Sequence, residues 1–322
     1  MDTLIFEGNV MAEQALATCS ADLAKTAKKH GPTPIPVLTT AEGDYLYFPA
    51  TGLRGGLRRA ACRVAQNVMG NGAPAPLDLQ TYYMLTIGGI TGPDKGTDYQ
   101  PDAVASARAK NPLVSLFGAN NFCGLGFVAG RLSMGNAIAR QNTVDLPPMQ
   151  FSGARADDFR RTPEATEGLN DKGRDELSDA RKAFAERNDK EKEKAEGTVM
   201  SPGRPLAGWL AIPPRSELAH TMVMARVSQV ELGLFLKALN EWAQHPFIGA
   251  HYAAGCGMFS AKWAVSRATE AGTTPIGTVT VTPFEGVTIE GASGHGWLTD
   301  AITAFDEAQA AGELDFTWEA GQ

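Results

Sequence analysis

The segment Phe48-Pro-Ala-Thr-Gly-Leu-Arg-Gly-Gly-Leu-Arg-Arg-Ala60 decides the reading of the fold. It joins a strand-like run ending at Phe48 to apolar residues at helical spacing. At about 100° per residue, Leu53, Leu57, Ala60, Ala61, Val64 and Val68 share one side of a helix predicted over 53–69. Arg54, Arg58, Arg59 and Arg63 spread over the other side. A strand thus delivers the chain to a helix start capped by Thr51 or Gly52, where backbone N–H groups and the helix dipole favour an anion. Glycine costs about 1 kcal/mol in a helix interior, so Gly55 and Gly56 are easier to explain in a first turn that a phosphate backbone approaches. The plain alternative is a surface helix with four solvated arginines. Solvated helices usually mix signs, and no Asp or Glu occurs from Tyr45 to Leu77, which favours phosphate.

Working outward, strand-like runs at 4–10, 35–40 and 44–48 precede this helix, with Gly and Pro between them. Residues 71–112 are rich in Gly and Pro and read as an irregular insertion, and 126–139 as a strand. Between 171 and 196 eight basic residues face nine acids with almost no large apolar residue, so this part of 145–205 reads as a solvated insertion. The last third is more regular. A strand at 219–228 runs into a helix at 229–244, with capping-box spacing at Ser228 and Glu231. Strands at 258–266 and 277–289 and an amphipathic helix at 298–311 complete an α+β pattern, a sheet with helices on one face.

The 322 residues are 43% apolar and 20% charged, and the net charge of -7 argues at first against a nucleic-acid partner. Position changes that reading. Residues 103–144 also lack acids and hold Arg108, Lys110, Arg131 and Arg140, whereas nine acids and no Lys or Arg follow Arg267. The four cysteines, Cys19, Cys62, Cys123 and Cys256, lie far apart without zinc-ligand spacing, which implies reduced thiols and no metal site. No signal peptide or membrane-length apolar run is evident, so a cytoplasmic location is expected. Phosphate-loop, dinucleotide, zinc-protease and nucleophile-elbow motifs are absent, and no cofactor is expected.

The segment 49–58 resembles the "I-P-G-S-S-L-K/R-G-x-L/I-R" element of RAMP-superfamily proteins, the RNA-binding subunits of CRISPR effector complexes. Leu116-Phe-Gly-Ala119 with Gly130-Arg-Leu-Ser-Met134 resembles that family's "L-F-G … G-R-L/V" element. Val230-Glu-Leu-Gly-Leu-Phe-Leu-Lys-Ala-Leu239, Ile248-Gly249 and Gly255-Cys-Gly-Met258 are similar to "E-L-G-x-L-L-x-A-L … I-G-G … G-x-G". The blocks run from about 35 to 268 in the family's order, and the match is nearest to the repeated backbone subunit of the type IV variety.

The resemblance implies a single palm domain over 1–322, a modified RNA-recognition-motif (ferredoxin-like) fold. A finger-like insertion would occupy 71–112 and a thumb-like insertion 145–205. Gly52, Arg54, Gly55, Gly56, Arg58, Arg59 and Arg63 would hold guide-RNA phosphates, with Asn120, Asn121 and Arg131 lining the same groove. Met149 and Phe151 would form a wedge between bases, with Arg155, Arg160 and Arg161 at phosphates; local packing is the alternative for the two wedge residues. The implied role is non-catalytic: copies polymerise head-to-tail along a guide RNA and present it to a target strand, with other effector subunits, a DNA target and a helicase partner in some type IV systems. No early-loop Asp matches the one that supports target cleavage in type III relatives. The competing reading is a guide-RNA-processing endoribonuclease of the same superfamily, for which His251, also placed near the RNA, is the best-positioned general base.

Overall fold

Leu4, Phe6, Val10 and Ala12 alternate with less buried residues along the first strand and set one face of a sheet against the core. The computed structural model describes residues 2–18, 32–89, 101–120, 127–153, 172, 207–270, 272–292 and 296–317. The elements of the first half are β1 (Asp2–Ala12), β2 (Val37–Thr40), β3 (Gly43–Phe48), α1 (Ala50–Met69), α2 (Leu79–Ile87), α3 (Pro101–Lys110) and α4 (Pro112–Phe117). Then come β4 (Leu132–Met134), β5 (Ala137–Ala139), β6 (Met149–Gly153), β7 (Ala207–Ala211) and β8 (Glu217–Val227). The last elements are α5 (Gln229–Gln244), β9 (Phe259–Thr269), β10 (Gly272–Thr282), β11 (Gly286–Gly291) and α6 (Trp297–Ala310).

The chain forms two compact units. One comprises Met1–Thr26, Pro34–Met149 and Leu210–Gln322; the other comprises Ala27–Thr33 and Gln150–Trp209. In the first, the sheet runs β11-β10-β9-β1-β8-β5-β3-β2, with β4 also on β8 and every pair antiparallel. The central order β9-β1-β8-β5, with α1 between β1 and β5 and α5 between β8 and β9, is compatible with a ferredoxin-like palm. Helix α5 lays Phe235 on Phe6 of β1, ring centroids 5.2 Å apart, and packs against α1, α4 and α6. Any side chain at Gly233 would collide with Ala301 and Phe305, so this glycine sets how closely α5 and α6 approach. In the second unit Phe151 stacks on Trp209 with centroids 5.7 Å apart and planes 5° from parallel, and Thr33 N–H donates to Gly208 O.

Where the structure departs from the sequence reading, the reasons are local. Helix α1 starts at Ala50, three residues before the predicted start, because Asn136 Oδ1 accepts the Ala50 N–H at 2.8 Å. Residues 71–112, with turn and loop at 71–78, are not irregular throughout. They contain α2, capped by Asp78 accepting from Gln80 and Thr81 N–H, and α3. Burial of Met84, Leu85, Val104 and Ala107 holds these helices where composition argued for loop. The strand expected at 126–139 is two short strands separated at Gly135, whose N–H bonds Thr221 O. The run at 277–289 is a hairpin turning at Phe284. Helix α5 has the predicted bounds, and both bonds of its capping box form.

A polar row crosses the buried face of the central strands. Gly8 of β1 lies opposite both His220 of β8 and Trp263 of β9. A side chain at Gly8 would strike the β9 backbone, and with glycine there Trp263 Nε1–H donates to His220 Nδ1 at 3.1 Å. Burial pushes the His220 imidazole down to about 4, the Gly135 backbone opposing only in part. Between that value and about 6.5 the unfolded chain binds more protons than the folded one. This contribution to stability is therefore complete above about pH 6.5 and is lost as the pH falls towards 4, about 3 kcal/mol in all. Urea titrations at pH 7 and pH 4.5 should show a smaller loss for His220→Gln than for the wild type; equal losses would remove His220 as the cause.

Candidate nucleic-acid interface

Helix α1 carries four arginines and no acid, and its rows of residues face different surroundings. Strand β3 ends at Phe48, and Pro49 holds the extended N-cap conformation. Leu53, Leu57, Ala60, Ala61 and Ala65 are buried, and Val64 and Val68 pack partly against the core, as the helical spacing predicted. Thr51 and Arg59 are exposed and Gly55 is half-exposed; these three follow one another at every fourth position on the solvent side. A Cβ at Gly55 would meet only the Arg59 Nη1, at 3.7 Å, so bare backbone lies open beside a cation. Arg63 continues along this side, half-exposed, with Nε 2.6 Å from Glu241 Oε1.

Two of the arginines that the sequence placed in the RNA groove are turned inward. Arg58 is 6% exposed, and its guanidinium donates to main-chain carbonyls. The bonds run to Leu85 O at 2.7 Å, Met84 O at 2.6 Å and Phe117 O at 3.3 Å. Those carbonyls end α2 and α4, where the helix dipole is negative. Burial, helped by the neighbouring Arg54 charge, pushes the Arg58 guanidinium down to about 10, with Cys62 opposing; it stays protonated at neutral pH. Arg131 forks onto Glu231, with Nη1 3.0 and 2.8 Å from the two oxygens. The same carboxylate closes the α5 capping box by accepting Ser228 N–H at 2.6 Å. Arg58 and Arg131 therefore brace the scaffold, because buried carbonyls and a buried carboxylate need their donors.

Arg54 is intermediate. Its Nη2 donates to Phe117 O at 2.7 Å, the guanidinium lies 5.9 Å from the Phe117 ring centre, and partial burial lowers its pKa. A Cβ at Gly130 would come within 2.9 Å of Arg54 Nη2, so that glycine makes room for the guanidinium. Gly52 and Gly56 also serve packing rather than phosphate approach. A Cβ at either would lie 2.8 Å from a ring, that of Phe48 or of Trp242. Asn120 donates from Nδ2 to Gly89 O at 3.1 Å and from its N–H to Gly88 O at 2.8 Å. His251 is exposed and left-handed, with φ 62°. Its loop lies beside the start of α1, because a Cβ at Gly249 would meet the same Phe48 ring that covers Gly52.

The three sequence blocks thus converge on the first half of α1. Arg54 and Arg58 reach the second block at Phe117; Trp242 and Gly249 bring the third to Gly56 and Phe48. Met149 is 41% exposed at the start of β6, and Phe151 stacks on Trp209, the packing alternative to a wedge. Asn121, Arg155, Arg160 and Arg161 lie outside the described residues. Asn136, which caps α1, and Trp242, which seats on Gly56, escaped the sequence reading; both act on residues far away in the chain, and neither carries a local signal. Among the described residues no three His, Cys, Asp or Glu side chains group to hold a metal ion, and no helix is long and apolar enough to cross a membrane.

No family model and no curated protein matches this chain. Among solved structures, a chain described as "Type IV-B CRISPR Complex" aligns over 83% of this chain and 91% of that one, at 12% identity and a TM-score of 0.44. A likeness of that degree assigns neither family nor function.

Arg58→Ala should destabilise the fold by about 2–4 kcal/mol, since buried carbonyls lose charged donors. Arg59→Ala, on the exposed side, should stay within about 0.5 kcal/mol of wild type. Chemical denaturation of the two variants measures the difference, and equal midpoints would contradict the assignment of Arg58 to the scaffold.

Proposed function

We infer that this chain is a non-catalytic RNA-binding subunit of a CRISPR ribonucleoprotein. Copies follow one another along a guide RNA, and each holds a short stretch of backbone while the bases pair with a target strand. The palm is a modified RNA-recognition motif, with residues 71–112 as finger and 145–205 as thumb. Other effector subunits, and a DNA target with a helicase in the type IV manner, complete the assembly.

The observation that carries this reading is the outward stripe Thr51, Gly55 and Arg59 on an acid-free helix. A hydroxyl donor, an open stretch of backbone and an unburied guanidinium in sequence suit a phosphodiester chain, which is bound through charge and donors without regard to base identity. The convergence of the three RAMP-like sequence blocks on this helix start supports the same reading. The inward arginines narrow the contact set to Arg59 and Arg63, with Arg54 at its edge. The nine acids after Arg267, with no Lys or Arg among them, make the last part of the chain strongly negative, which limits indiscriminate nucleic-acid binding and suits a neighbouring copy's basic side.

The reading is tested with the full chain and a fluorescent guide-like RNA across a salt series. Arg59→Glu should weaken binding by roughly tenfold or more and reduce the slope of log affinity against log salt by about 1, as one phosphate contact is lost. Unchanged affinity and slope would remove the α1 stripe from the RNA path. Purification from cells expressing a guide array should yield protein with a discrete RNA; protein free of RNA would sink the proposal.

A further inference from the structure

Three exposed aromatic rings from three separate segments meet beside the third sequence block. Phe247, just past α5, is 36% exposed; Tyr252, in the glycine-bounded loop, is 71% exposed; and Phe284, at the tip of the β10–β11 hairpin, is 58% exposed. The Phe247 ring centre lies 6.4 Å from those of both Tyr252 and Phe284, with the planes inclined by 52° and 64°. The hairpin tip is fastened to the end of α5 by Phe284 N–H donating to Ala243 O at 2.8 Å. Phe284 itself holds φ 64° and the neighbouring His251 φ 62°, conformations that few residues other than glycine adopt. The backbone is thus held in two uncommon conformations around a cluster of rings that remain largely in solvent.

The cluster is tied to α1 at two points. The loop bearing Tyr252 starts at Gly249, which lies against Phe48, and Phe48 in turn covers Gly52 in the first turn of α1. At the other end, His245 Nδ1 is 3.9 Å from the Glu241 oxygen that Arg63 holds at 2.6 Å, and Phe247 N–H bonds His245 O. An acid of this neighbourhood, Glu241, is therefore already paired with a cation, whereas Glu285 beside Phe284 is exposed. The exposed residues between the rings are small or polar (Gln244, His245, Gly249, Ala250, His251, Ala253), without the aliphatic side chains that fill an apolar protein seam.

We propose that Phe247, Tyr252 and Phe284 form a stacking platform for the bases of a single-stranded nucleic acid whose backbone follows the Thr51, Gly55, Arg59 stripe. The inference rests on the reading of α1 as RNA-facing and adds the subsite that takes the bases. Base faces stack on aromatic rings without regard to sequence, while cations alongside hold the phosphates. The platform therefore contributes affinity without adding phosphate contacts, and that separates it experimentally from the arginines.

The test uses the full chain, a fluorescent uridine oligoribonucleotide and an abasic oligomer of the same length. The variants are Tyr252→Ala, Phe284→Gly, which removes a ring where the backbone already suits glycine, and Arg59→Glu. Tyr252→Ala and Phe284→Gly should each weaken uridine-oligomer binding by roughly 5- to 100-fold, the loss of one base–aromatic stack, with the salt slope unchanged and abasic binding unaffected. Wild-type affinity in both ring variants, with Arg59→Glu still weakened, would overturn the platform and leave the RNA reading of α1 standing. No binding of either oligomer by the wild type would overturn both. Ring variants that keep RNA affinity but lose self-association in light scattering would show a protein-docking surface instead, and would also overturn the proposal.

Discussion

The guanidinium of Arg58 is the interaction on which the helical side of the molecule depends. It enters from α1, is almost completely buried, and donates to the last carbonyls of α2 and to Phe117 at the end of α4. The last turn of a short helix leaves carbonyls short of donors. Here Leu85 O and Phe117 O take arginine donors, while Met84 O accepts from Arg58 as well as from Gly88 N–H. Leaving such a carbonyl buried and unpaired costs about 1–3 kcal/mol. One planar cation with several donors in fixed directions satisfies both helix ends at once, which a lysine could not do. Gly88 supplies the left-handed cap of α2, with φ 94°, and a Cβ there would press to 3.4 Å from Arg58 Nη1. The short helices thus stay in place without strong intrinsic propensity, because their ends close on a charge.

The outward surface follows from this inward use. With Arg58 committed to the interior and Arg54 half committed through Phe117, the cations left to solvent on α1 are Arg59 and the half-exposed Arg63. Glycines at 52 and 56 bring Phe48 and Trp242 up to the helix, and through them the loop at 249–252 arrives beside its first turn. Glu231 plays the matching part on α5, where one buried carboxylate caps the helix and holds Arg131. A solvent-facing stripe therefore stands on a base whose arginines are already hydrogen-bonded inside the fold.

Much of this was readable without coordinates. The strand at 4–10, the apolar row of α1, and the Ser228–Glu231 cap with the full span of α5 all emerge from short-range patterns. The helices within 71–112 did not emerge, since their stability comes from burying Met84, Leu85, Val104 and Ala107 and from Arg58, more than 25 residues away. At the hairpin tip, Phe284, the sequence reads as a continuous strand although Pro283 and Gly286 flank it, because Thr and Val on both sides carry strand character. The aromatic cluster around Phe247 escaped for a related reason. Tyr252 and Phe284 lie 5 and 37 residues from Phe247 in sequence, and only the fold brings the three rings together.

By itself the sequence determined that residues 53–69 form a helix with four cations, no acid and one apolar row, because helical period and composition are local properties. Which cations meet solvent was decided only in three dimensions. Arg54 and Arg58 stand four residues apart in one row; Arg59 and Arg63 stand four apart in the next, about 100° around the axis. The period alone sets Arg59 opposite the apolar row, but it leaves Arg58 and Arg63 on equal flanks of that row. The carbonyls of Met84, Leu85 and Phe117, delivered by segments 26 to 63 residues away, claim the first row. The second row meets no such carbonyls among the described residues: Arg59 is exposed, and Arg63 pairs with the Glu241 side chain of α5 while staying half-exposed.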